Sequence, residues 1–167
     1  MSGSGLGLEI EINDKGVQEL LSITQERLRD LTPAFKNIGE YMVRERETLF
    51  KEERGPDGKP WEKLAESTKY SIFRKKKTAK QGLQALAGKK ILTQDHHLKR
   101  TVYKAGSNQV VISPDTTSKD YAAIHQFGGK AGRGKKVTIP ARPHLGFNDE
   151  NKKEFIEIIR EHLLSQL

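Results

Sequence analysis

The stretch Gly55-Pro56-Asp57-Gly58-Lys59-Pro60 divides this chain, because two glycines and two prolines within one short segment can continue neither a helix nor a strand. Ahead of it, apolar residues recur at helical spacing. Val17, Leu20, Leu21, Leu28 and Leu31 predict an amphipathic helix from about Gly16 to Leu31. Thr32-Pro33 opens a second helix, with the proline in the first turn, where its missing N–H costs nothing. Phe35, Ile38, Met42 and Leu49 form the apolar stripe of that helix, Arg44-Glu45-Arg46-Glu47 its expected solvated flank, and it should end near Arg54. Before both helices, Leu6, Leu8, Ile10 and Ile12 alternate with Gly7, Glu9 and Glu11, the period of a half-buried strand.

Beyond the break the pattern shortens. Trp61 is expected to be a packing anchor, since its large apolar area favours burial. Leu64 to Phe73 suits a short helix and Gln81 to Ala87 another, though Gly82 and Gly88 weaken the second. Ile91-Leu92 returns the chain to the core. Thr101–Ala105 and Gln109–Ser113, around Gly106-Ser107-Asn108, predict a β-hairpin with a three-residue loop. Tyr121 to Phe127 reads as one or two helical turns, Gly128 to Lys136 as a glycine-rich basic loop, and Val137-Thr138-Ile139-Pro140 as a short edge strand. Ala141 to Phe147 should be irregular and rigid. Asn148 then caps a last helix, with Asp149 and Glu150 complementing its dipole and Phe155, Ile156, Ile159 and Leu163 on its buried face. This order predicts one α+β domain over residues 1–167. It is a small, mostly antiparallel sheet packed against two or three α-helices, with long mobile basic insertions at about 55–90 and 128–136.

Composition sets the limits. Only 34% of the residues are apolar, against ~45–50% in ordinary globular domains on a count that includes glycine. Much of the chain is therefore expected to be solvated or ordered by partners. The absence of cysteine removes disulfide scaffolds, thiolate zinc sites, Fe–S clusters and cysteine nucleophiles. No apolar run approaches the ~20 residues of a membrane span, and the first residues lack the basic and apolar regions of a secretory signal. A soluble protein made in a cytosol, with no membrane partner, is the expectation. The net charge of +8 favours something acidic, and by itself does not choose between nucleic acid, an acidic protein and a membrane surface.

No catalytic constellation emerges. Asp95-His96-His97 is the densest histidine cluster, but adjacent histidines project apart and do not converge easily on one ion. His125 and His144 read as structural or surface residues. No serine sits in a Gly-x-Ser-x-Gly elbow, and Gly134-Lys135 is followed by Lys136 rather than the Ser or Thr of a phosphate-binding loop. The expectation is a protein with no catalytic, metal or cofactor site. Two basic groups remain: Arg74, Lys75, Lys76, Lys77 and Lys80, then Lys130, Arg133, Lys135 and Lys136. Each could neutralise phosphates or an acidic protein, although no aromatics are interleaved with them to stack bases. A basic nucleic-acid-binding accessory protein is thus the alternative reading.

The second half carries a pattern. Tyr121-Ala122-Ala123-Ile124-His125-Gln126-Phe127-Gly128-Gly129, the basic loop, and then Val137-Thr138-Ile139-Pro140-Ala141-Arg142-Pro143-His144-Leu145-Gly146-Phe147 resemble the signature of the phage virion morphogenesis (tail completion) family. Upstream, Phe50 with Asp57-Gly58-Lys59-Pro60-Trp61-Glu62-Lys63-Leu64 resembles that family's "D-G-x-x-W-x-x-L" segment, and Ile91-Leu92 stands where it has "I-L" before a central hairpin. The family's small-residue turn is replaced here by Thr93 to Thr101, which keeps a leucine and a hydroxyl and lacks the glycine.

The resemblance implies a non-enzymatic structural protein of the tailed-phage virion, at the neck or head-proximal tail end, made in the host cytoplasm. Such a protein is similar to tail-terminator and head–tail connector subunits, which form homo-oligomeric rings, commonly hexamers, between neighbouring neck and tail proteins and around the DNA channel. Within that frame Trp61, Tyr121, His125, Phe127, Gly128, Gly129, Pro140, Arg142 and Pro143 are the interface candidates. Gly128 and Gly129 would turn the chain sharply, Pro140 and Pro143 would stiffen the segment around Arg142, and Arg142 would suit a carboxylate.

Overall fold

The computed structural model describes residues 14–93, 98–115 and 119–165. The alternating segment Leu6 to Ile12 and the pair His96 and His97 lie outside them.

The fold is α+β, as the element order predicts, with more helix than expected. Helix α1 (Lys15–Arg29) starts where the Asp14 carboxylate accepts the Gly16 N–H at 2.8 Å. The longest helix, α2 (Thr32–Glu52), has Pro33 in its first turn, and the Asp30 carboxylate accepts the Thr32 N–H at 2.9 Å. Glu53, at φ 57° in the left-handed region, closes α2 by donating its N–H to Leu49 O. The turn cluster then folds on itself: Gly55 N–H donates to Lys59 O at 2.8 Å and Gly58 N–H to Gly55 O at 3.0 Å.

Helices α3 (Glu66–Arg74) and α4 (Ala79–Ala87) fill most of the stretch expected to be an insertion. They pack chiefly on each other, with the Phe73 ring over Gly82, where a Cβ would stand 2.6 Å from that ring. Strands β1 (Thr101–Ala105) and β2 (Val110–Pro114) form the expected antiparallel hairpin, in the register Tyr103↔Ile112. Its inner face lies across α2, close enough for the Tyr103 ring to sit on Gly39.

Helix α5 (Lys119–Phe127) leads into strands β3 (Gly129–Ala131) and β4 (Val137–Ile139), an antiparallel pair joined by a 3-10 turn at Arg133–Lys135. One third of the glycine-rich segment is therefore strand. Val137-Thr138-Ile139 needs a pairing edge, and the stretch just after Phe127 supplies it. Among the described residues the strands make two separate two-stranded sheets rather than one. Helix α6 (Asp149–Leu164) closes the chain behind a capping box in which Asn148 and Asn151 each accept the other's N–H, at 2.8 and 2.9 Å. Asn151 is itself buried and donates to the Tyr41 hydroxyl at 2.9 Å, which fixes α6 against α2.

Three packing expectations are overturned. Ile156, assigned to the buried face of α6, is 57% exposed, because α2 covers that helix around Phe155 and Asn151. None of the residues of α1 is buried, and Val17, Leu21 and Leu28 are about half exposed. Its hold on the described fold runs through polar groups: Arg27 donates to Leu163 O at 2.7 Å, at the C-terminus of α6, and Leu31 N–H to Ser107 O. Arg46, assigned to a solvated flank, is only 2% exposed. It stands four residues after Met42 and three before Leu49, so helical geometry places it on the apolar stripe whatever its charge.

Candidate functional site

The family-like segments meet in one place. The core gathers Phe50 from the end of α2, Trp61 after the turn cluster, Ile91 and Leu98 from the connection to β1, and Ala122 from α5, with Leu64 and Leu92 against it. Phe50 and Trp61 pack edge to face, with ring centroids 5.1 Å apart. The segment 140–148 crosses this core, and its backbone is hydrogen-bonded at Arg142, Pro143, His144, Leu145 and Asn148.

Gly128 makes that crossing possible. At φ 72° it turns the chain out of α5, and a Cβ there would lie 2.9 Å from Ala141 N. The returning Arg142 N–H donates to His125 O at 2.6 Å. The Gln126 side chain then accepts from His144 N–H and Leu145 N–H, both at 2.9 Å, and donates to Leu145 O at 2.8 Å. Pro143 O accepts from the Trp61 indole N–H at 2.7 Å.

Two buried arginines staple the segment from either side. Arg142, 6% exposed, donates through Nε to Glu62 O at 2.7 Å and through Nη2 to Lys63 O at 3.0 Å. It grips two successive carbonyls where the sequence suggested a carboxylate, and burial lowers its pKa. Arg46 donates through Nε to His144 O at 3.0 Å, through Nη2 to Leu98 O at 2.8 Å and to His144 Nδ1 at 3.1 Å, and through Nη1 to Thr101 Oγ1. Its guanidinium also stands over the Phe50 ring, 5.2 Å from the centroid. Burial pushes its pKa down to about 10, so it stays charged at neutral pH. Carbonyl dipoles and a π face satisfy this cation, and no described carboxylate forms an ion pair with it.

His144 is fully buried between them. Because Arg46 can only donate, His144 Nδ1 accepts, and the ring proton sits on Nε2, facing Ala122 O at 3.3 Å. Burial, with Arg46 alongside, pushes the His144 pKa down to about 4. His125, 8% exposed, packs edge to face on Tyr121 with ring centroids 4.3 Å apart, and burial together with Arg142 lowers its pKa too. His144 has both ring nitrogens engaged, and the two guanidiniums are held on backbone carbonyls, so these groups tie segment 140–148 to its surroundings. The arrangement is a clamp.

The interface candidates thus divide. Trp61, His125 and Arg142 face inward. Pro140 and Pro143 are half-buried, and Gly128 and Gly129, at φ 72° and 152°, shape the turn. Tyr121 and Phe127 face outward at 52% and 79% exposed, joined by Phe147 at 59%, which the sequence reading did not select. An apolar cavity of about 310 Å³ lies beside Phe127, lined also by Pro114, Ala122, Ala123, Gln126 and Leu145. A second, of about 260 Å³, opens between Met42, Leu49, Ile112, Leu145 and Phe147, over Arg46 and His144. Arg74, Lys75, Lys76, Lys77, Lys80, Lys130, Arg133 and Lys136 are all exposed, and the side chain of Lys135 is outside those described. Arg46 was legible only through its helical position, and Gln126 gave no signal at all.

The chain is similar to known proteins along most of its length. The model of the phage virion morphogenesis family matches residues 12–164. The chain is also similar to the Mu-like prophage FluMu G protein 2 of Haemophilus influenzae, at 46% identity over 56 residues, which is 34% of this chain and 38% of that protein. The chain therefore matches well under half of that relative's length. No solved structure matches.

Proposed function

The chain belongs to the phage virion morphogenesis family, and from that membership we propose that it is a structural subunit of the neck or head-proximal tail end. In this reading copies assemble as a ring, of six by analogy with tail terminators and connectors, that completes the tail or joins it to the head. The subunit acts by shape and adhesion, with no bond-making chemistry of its own, and its place is the virion after assembly in the host cytoplasm.

The observation that carries the reading is a rigid clamp presenting an unsatisfied surface. Segment 140–148 is hydrogen-bonded to the end of α5, so the outward side chains of both are held in fixed positions. Phe147 stands exposed at the edge of one apolar cavity and Phe127 at the edge of another, with Tyr121 half exposed on the same helix as Phe127. Exposed apolar area of this kind marks interaction sites in soluble proteins. Helix α1 supports the same view, because a helix of 15 residues with none buried is marginal without neighbours. A ring places one face of a subunit against a different face of the next, so such patches need not be self-complementary.

The test has two arms. Native mass spectrometry of the purified chain reads its oligomeric state, and quantitative proteomics of purified particles reads its presence and copy number. A closed oligomer and a fixed copy number per particle are expected. Particles that contain no copies of the chain, or that mature with joined, infectious tails in its absence, would overturn the proposal.

A further inference from the structure

The charge of this protein is not spread over it. Residues 63–90 hold nine Lys and Arg against Glu66 alone, a net +8 equal to that of the entire chain, so the rest of the molecule is balanced. This stretch is the α3–α4 pair, whose helices pack chiefly on each other. It is tied to the body at its base, where Leu64 joins the core and Lys90 Nζ donates to Lys51 O at 2.7 Å. At the turn between the helices, Arg74, Lys75, Lys76, Lys77 and Lys80 are all exposed, and none forms an ion pair with a described residue.

We infer that the α3–α4 lobe is a docking element for the phosphate backbone of duplex DNA, read without regard to base sequence. Three features favour a duplex over an acidic protein. From residue 67 to residue 94 the chain has no Asp or Glu, whereas protein interfaces fix register by complementary charges of both signs. The cations are mostly lysines, which meet phosphate as point charges and suit a polyanion uniform along its length. Such density matches a duplex, which carries one charge per ~1.7 Å of axis. Tyr70, Phe73 and Leu83 are the exposed apolar residues of the lobe, too few for the aromatic platform of a single-strand binder. Docking of the lobe is independent of ring formation: a monomer that binds duplex keeps this inference and defeats the ring, and the reverse result separates them equally well.

The experiment is a salt series on the whole chain, read by fluorescence anisotropy with a labelled duplex of about 30 base pairs in two unrelated sequences. Five phosphate contacts give a slope of log affinity on log salt near −4.5, or about a 500-fold loss between about 50 and 200 mM. Replacing Lys75, Lys76, Lys77 and Lys80 with Gln should make the slope shallower by about 3 to 4 units, while Arg at the same positions should preserve it. A control with Lys15, Lys36, Lys104 and Lys153 changed to Gln removes the same charge elsewhere and should retain most of the slope. Equal losses in the control, a strong preference for one duplex sequence, a flat salt response, or equal displacement by polyglutamate at matched charge would each overturn the inference. The last of these would assign the lobe to an acidic protein.

Discussion

Arg46 Nη2 stands 3.1 Å from His144 Nδ1, joining residues 98 positions apart in a site closed to water. The contact sets the tautomer of the imidazole, and the same guanidinium holds His144 O, Leu98 O and Thr101 Oγ1. One side chain thus fixes the crossing of segment 140–148 over α2 and the approach to β1.

Removing Arg46 should therefore cost more than its packing. Arg46→Met keeps the apolar stem and leaves two carbonyls and an imidazole nitrogen without their donor, at about 1–3 kcal/mol for each buried unsatisfied group. A loss of about 3–5 kcal/mol is expected in urea unfolding. Arg46→Lys keeps the charge but lacks the planar fork, and should lose about 2 kcal/mol. A change under about 1 kcal/mol in the Met variant would refute the clamp.

Acid should weaken the fold in a defined window. The His144 pKa is about 4 when folded and 6.5 in its ordinary state, so the unfolded chain binds the proton more readily. Stability is complete above pH 6.5 and is lost as the pH falls towards 4, by on the order of 3 kcal/mol. His125, also lowered, acts in the same direction. The exposed carboxylates Asp30, Asp57 and Asp149, held low by their hydrogen bonds, keep their contribution through this window and lose it only as the pH falls below their ordinary value of 3.8. Thermal melts between pH 7 and 4.5 should therefore shift for the native chain and shift less for His144→Gln.

Two glycines with nearly equal φ should respond differently. Gly58, at 77°, has open space where a Cβ would go, so Gly58→Ala carries only the left-handed strain of about 1–2 kcal/mol. Gly128, at 72°, would add a Cβ at 2.9 Å from Ala141 N, a clash with backbone that cannot rotate away. Gly128→Ala should lose clearly more, about 3 kcal/mol or above, by combining strain with overpacking. Equal melting temperatures for the two variants would show that the close approach is unimportant.

Phe127→Ser should separate folding from assembly. The ring is 79% exposed, so the subunit should keep its stability within about 0.5 kcal/mol. Its oligomeric fraction, read by sedimentation, should fall. Unchanged sedimentation would remove Phe127 from the proposed interface.

Much of this architecture was written locally. The turn cluster, Pro33, Asn148 and the alternation in 101–105 and 110–114 each act within a few residues, so helix ends and the hairpin could be read from spacing alone. Periodicity also drew an apolar stripe on α1, but it cannot say whether a partner covers that stripe. The burial of Arg46, the carbonyl grip of Arg142 and the double role of Gln126 were decided only by the tertiary structure. Their partners lie 18 to 98 residues away, and a hydrogen-bonding group declares its acceptor only when the chain has closed around it. The sequence by itself determined most of the helices, the β1–β2 hairpin and where the charge collects, whereas strand β3 at Gly129–Ala131 needed β4 to pair with it. Long-range closure determined which charges are buried, because the desolvation of a guanidinium is offset only where folding gathers enough carbonyls to receive it.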